Sequence, residues 1–93
     1  MTPENTAIIY SNESASYLTL KDESSLKEAK KAAEESIKVM PNWWKGYYRR
    51  GRAEMGFEDW KNAQKSFEKA LALNPQSKES RDELSTVRAK VSS

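Results

Sequence analysis

Histidine and cysteine are both absent from this chain of 93 residues. Their absence removes thiol nucleophiles, imidazole bases, disulfides and any zinc site built on either side chain. Most enzyme chemistry therefore lacks its parts, and no catalytic residue, metal or cofactor is expected. Glycine and proline are scarce, at three each, which suits a helix-rich chain better than a disordered or sheet-dominated one. No stretch approaches the ~18 continuous apolar residues of a membrane span, and the opening MTPENTA lacks the basic-then-apolar layout of a secretory signal. A cytoplasmic setting without membrane contact is expected. Charge is not one-sided either: 16 basic and 14 acidic residues leave a net +2, too little for a dedicated nucleic-acid binder. Any basic site must be local.

What is present reads as one small all-α domain over residues 1–93, with a thin core, since a chain of this length buries only about 60–65% of its unfolded surface. Thr2-Pro3-Glu4 puts a capping hydroxyl, a proline at the first helical position and an acid in the first turn, so a helix starts there and runs to about Leu20. On it Ile8, Ile9, Asn12 and Ser16 occupy neighbouring faces, and Tyr10, Ser14, Tyr17 and Leu18 a second stripe. After the polar break KDESS, a second helix from Ser25 carries Ala29, Ala33, Ile37 and Met40 on one stripe and closes at Pro41. A third spans about Trp43 to Met55 and ends near Gly56. A fourth runs from Asp59, its expected cap, to Leu73, with Trp60, Ala63, Phe67, Ala70 and Leu71 facing inward. The last segment, about 77–91, has Leu84, Val87 and Val91 as its only large apolar residues. That is the pattern of a terminal helix covering its neighbour's exposed side.

Laid on itself, the chain repeats. Pro41 and Pro75 stand 34 apart, as do Ala29 and Ala63, with Ala33 matching Phe67 and Ser36 matching Ala70. Two helices in 34 residues resemble the tetratricopeptide repeat. The second unit follows that pattern with Tyr47, Gly51, Ala63, Phe67, Ala70 and Pro75. Gly51, Ala63 and Ala70 let two antiparallel helices approach, and Tyr47 with Phe67 fills the gaps between layers. Arg50 and Glu54 depart from it, standing where Leu and Tyr are usual, and are expected to weaken the interior. The first unit keeps Tyr10, Ser14, Tyr17, Ala29, Ala33 and Pro41, with three extra residues assigned to the KDESS turn. The expected fold is a tetratricopeptide-repeat superhelix of five helices: repeat one at about 3–41, repeat two at about 42–75, and a capping helix at about 77–91.

At ~100° per residue, Lys45, Tyr48, Arg49 and Arg52 share one narrow face of the third helix, while Trp44, Tyr47 and Gly51 share another. Taken alone, such a cationic face is most often merely solvated. However, YSNESASY followed by PNWWKGYYRRG resembles the second and third repeats of the carboxylate-clamp domains of co-chaperones. In that family an Asn from one repeat, and a Lys and an Arg four apart in the next, hold the terminal carboxylate and aspartate of a chaperone tail. The resemblance places Asn12, Lys45 and Arg49 in those roles, with Tyr48 and Arg52 lining the groove. It implies as partner the acidic C-terminal peptide of heat-shock protein 90 or heat-shock protein 70 chaperones. The chemistry is coherent: a carboxylate offers acceptors on every side, and Lys, Arg and Asn supply donors without a competing negative charge.

The family's full clamp draws a further Lys and Asn from a preceding repeat, which have no counterpart in these 93 residues. Two missing donors imply a grip weaker by at least about tenfold. Residues 1–5 read as the end of an inter-repeat turn, and the outer face around Ile8, Ile9 and Leu20 is expected to self-associate or to meet a partner. The competing reading is a scaffold that binds another protein segment through apolar faces, with the cations solvated. Base stacking on the aromatics ranks below both, because the repeat already needs those rings for packing.

Overall fold

The computed structural model describes residues 2–92. Five helices follow one another: α1 (Pro3–Leu18), α2 (Glu23–Val39), α3 (Trp44–Gly56), α4 (Trp60–Leu73) and α5 (Lys78–Ser92). Short turns fold α1 onto α2 and α3 onto α4, the two most extensive contacts, while α2 packs on α3, α4 on α5, and α1 touches α3. The outcome is a slab of 44 × 31 × 17 Å. Among the described residues no strand is present, and no helix is long and apolar enough to cross a membrane.

Local signals account for most of the helix ends. Thr2 accepts from the Asn5 N–H and Pro3 opens the helix, so α1 begins where its sequence directs. The second helix starts earlier than Ser25: Asp22 caps it, its two carboxylate oxygens accepting from the Ser25 N–H at 2.8 Å and the Ser25 hydroxyl at 2.9 Å. Hence the three extra residues of the first unit are not loop. Glu23, Ser24 and Ser25 form an added first turn of α2, which begins six residues before Ala29, whereas α4 begins only three before Ala63. Asp59 does stand at the α4 N-terminus but makes no side-chain bond to the helix backbone. Its carboxylate accepts instead from the Asn62 amide at 2.7 Å.

The main core gathers Tyr47, Tyr48, Ala63, Phe67, Ala70, Leu84 and Val87, and a second cluster gathers Leu18, Leu26, Ala29 and Ala53. Phe67 is fully buried, worth about 1.5–3 kcal/mol relative to exposure. Gly51 makes that possible, since a β-carbon there would sit 2.8 Å from the Phe67 ring. Along α1 the buried stripe is Ala7, Ser11, Ser14 and Leu18, while Tyr10 is half-buried and Tyr17 exposed. Ser11 is a core position that the repeat pattern does not signal, whereas Ser14 holds one of its positions. Across the α1–α2 interface serine hydroxyls satisfy backbone carbonyls: Ser14 donates to the Ala29 carbonyl at 2.7 Å and Ser36 to the Ala7 carbonyl at 3.0 Å.

Arg50 and Glu54 do not simply weaken the interior. Glu54, only 4% exposed, accepts from the Ser66 hydroxyl at 2.6 Å and lies 3.6 Å from the Lys30 ammonium. Arg50 donates to the same Ser66 oxygen at 2.9 Å. One polar relay thus joins α2, α3 and α4 where the repeat pattern has apolar side chains.

Candidate functional site

The cationic face of α3 is fixed by its rings. The Tyr47 hydroxyl donates to the Pro41 carbonyl at 2.8 Å, pinning the first turn of α3 to the preceding turn. Tyr48 packs edge-on against Trp44 at 5.8 Å and tilted against Phe67 at 5.9 Å. At 8% exposure it is a core ring, so its expected place in the groove lining is corrected: it forms the floor beneath the cations. Above it lie the guanidinium carbons of Arg49 at 5.5 Å and Arg52 at 5.9 Å, within range of favourable cation–π attraction. Its hydroxyl accepts from Arg52 Nη1 at 3.1 Å.

Arg49 is half-buried and points toward α1, its Nε reaching the Ser11 hydroxyl at 3.4 Å. This links α3 to the residue beside Asn12. Burial pulls the Arg49 guanidinium below its ordinary basicity; Arg52 acts in the same direction, while Tyr48 and Glu79 oppose it. Lys45, one turn earlier, is exposed, with its ammonium 6.0 Å from the Trp43 ring and 5.9 Å from the Trp44 ring. Neither Lys45 nor Arg49 has a carboxylate within ion-pair distance among the described residues. Arg52 differs, because its Nε lies 3.5 Å from Glu83 of α5.

Between α1 and α3 runs a hollow of about 450 Å³ lined by Ala15, Leu18, Thr19, Lys21, Arg49 and Arg52. Of the residues singled out from the sequence, Arg49 and Arg52 share this lining; Lys45 and Asn12 are exposed on their own helices outside it. Ser11 and Lys21 escaped the sequence reading. Ser11 carried no signal beyond adjacency to Asn12, and Lys21 was legible only as part of the polar KDESS break. Such a groove can hold an anion: its cations are positioned by packing, and at least one is desolvated.

A sequence profile described as the tetratricopeptide repeat matches residues 44–77. The chain has the tetratricopeptide-repeat fold. Among curated proteins it is 39% identical over 80 residues to heat shock protein STI1 of Saccharomyces cerevisiae, which covers 86% of this chain and 13% of that protein. It is 36% identical over 81 residues to an Hsp70-Hsp90 organising protein of Plasmodium falciparum, 87% of this chain and 31% of the relative. The chain thus spans less than a third of each. Among solved structures it is similar to the second TPR domain of human RPAP3 in complex with the HSP70 peptide SGPTIEEVD. There the TM-score is 0.81 and the identity 28%, over 89% of this chain and 67% of that one.

Proposed function

We propose that this tetratricopeptide-repeat domain is an adaptor module of a cytoplasmic co-chaperone, binding the acidic C-terminal tail of heat-shock chaperones of the 70 or 90 class. Arg49 carries the reading. It is a half-buried cation, stripped of part of its hydration and held over Tyr48 without a carboxylate partner, which is the state a charge occupies when a ligand supplies its counter-ion. Lys45 and Arg49 take the terminal carboxylates and the Asn12 amide bonds the last residue's main-chain carboxylate. The relatives support this through their names: two are heat-shock or chaperone-organising proteins, and one tetratricopeptide domain holds a peptide ending in Glu-Glu-Val-Asp.

The deciding experiment titrates SGPTIEEVD as free acid and as C-terminal amide. The acid is expected to bind and the amide to bind at least tenfold more weakly, since charge-assisted hydrogen bonds contribute about 1.5–3 kcal/mol each. Lys45→Ala or Arg49→Ala should weaken the acid selectively and leave helicity unchanged. Equal affinity for acid and amide sinks the reading. Salt gives a second discriminator, because gripping a carboxylate fades with ionic strength and docking through apolar faces does not.

A further inference from the structure

The α1–α2 turn delivers a cation where the matching α3–α4 turn carries an acid, Glu58, in the same left-handed pose. Lys21 lies between the end of α1 and the Asp22 cap with φ of 61°, the left-handed region that a β-carbon disfavours. In that pose it lines two adjoining hollows, one shared with Arg49 and Arg52 and one with Leu18, Arg52 and Glu83. Three cations thus face one end of the groove, where α3 alone supplies two. The chain itself shows what this end accepts: the Glu83 carboxylate from α5 already approaches Arg52 at 3.5 Å. Lys21 and Arg49 have no such partner among the described residues.

We propose that Lys21, with Arg49 and Arg52, forms a second anion subsite, which takes a side-chain carboxylate of the bound tail two or three residues before its terminus. This rests on the tail-binding reading above. Helical geometry sets the spacing: from Lys45 to Arg52, α3 advances roughly 10 Å at ~1.5 Å per residue. An extended peptide covers that distance in about three residues at ~3.3 Å each. In SGPTIEEVD the two glutamates stand two and three residues before the final aspartate. The terminal grip reads only the last residue, whereas the second subsite extends the selection to acidic residues before it. Glu83 is the internal competitor, releasing Arg52 when the peptide carboxylate arrives.

Calorimetric titration of the whole chain with free-acid SGPTIEEVD and free-acid SGPTIQQVD, and of its Lys21→Ala and Lys21→Gly variants with the same pair, tests the subsite. The glycine variant removes the side chain while relieving, rather than adding, strain in the left-handed turn. Both variants are expected to weaken SGPTIEEVD about two- to fivefold, the range of a partly exposed ion pair, and to leave SGPTIQQVD unchanged. Equal losses for the two peptides, or none for either, overturn the subsite while the terminal grip stands. If the C-terminal amide of SGPTIEEVD binds the unmodified chain as well as the acid does, the tail-binding reading fails and the subsite with it.

Discussion

Ser66 holds two charged groups at once. Its hydroxyl donates to Glu54 and accepts from Arg50, so alanine there leaves a buried carboxylate and a guanidinium each one bond short. Ser66→Ala is expected to lower stability by about 1–3 kcal/mol, the desolvation cost of an unsatisfied buried polar group, read from urea denaturation midpoints. A change within ~0.5 kcal/mol, the size of an ordinary surface substitution, would show that water replaces the hydroxyl at no cost. At this scale the sequence was legible where sterics decide. Gly51, Ala63, Phe67 and Ala70 announce themselves because close helix approach demands very small or very large side chains. It was opaque at Ser11, Ser36 and Ser66, since nothing local to a serine tells whether a guanidinium, carbonyl or carboxylate from another helix will meet its hydroxyl. Tyr48 was misplaced for a related reason. On the helical wheel it lies about 40° from both Trp44 and Arg52, and only the position of Phe67 decides which side claims the ring.

Helix α2 shows how one carboxylate can set an element's boundary. Hydrogen bonds from the Ser25 N–H and hydroxyl hold the Asp22 carboxyl below the usual carboxylate range. Folding lowers this pKa, so the cap's contribution is complete above the unfolded value and is lost as pH falls through the folded one. Asp22→Asn keeps the capping oxygen and removes the titration. Thermal melts are therefore expected to show a steeper loss on acidification in the unmodified chain than in Asp22→Asn. Parallel acid slopes would assign the sensitivity to other carboxylates. The order and approximate extent of all five helices could be read from caps, prolines and periodicity. The misassignment of Glu23 and Ser24 to a turn came from treating a polar stretch as a break, although Asp followed three residues on by Ser nucleates a helix as readily as it ends one.

At the scale of the whole molecule, the 34-residue self-match carried the fold because each unit buries its apolar face only against the next. The same logic leaves one side uncovered. Ile8, Ile9 and Leu20 of the α1 region are 43%, 44% and 62% exposed. Sedimentation velocity is expected to show concentration-dependent association that Ile9→Lys together with Leu20→Lys abolishes. A single monomeric species over a wide concentration range would show that water tolerates this face. The location of the candidate site was legible only in part. Its cations follow from spacing along one helix, but the hollow they share with Lys21 depends on how α1 lies against α3, which no single-helix pattern encodes.

Among the described residues, the fully buried side chains are Phe67, Val87, six alanines and five serines, Ser11, Ser14, Ser36, Ser66 and Ser80. Water released from hydrocarbon raises the heat capacity of unfolding, and water regained by polar groups lowers it. An interior of small side chains and hydroxyls exposes little hydrocarbon, so unfolding is expected to carry a small heat-capacity increment for the chain's length. The stability curve is then broad, bending little between cold and warm.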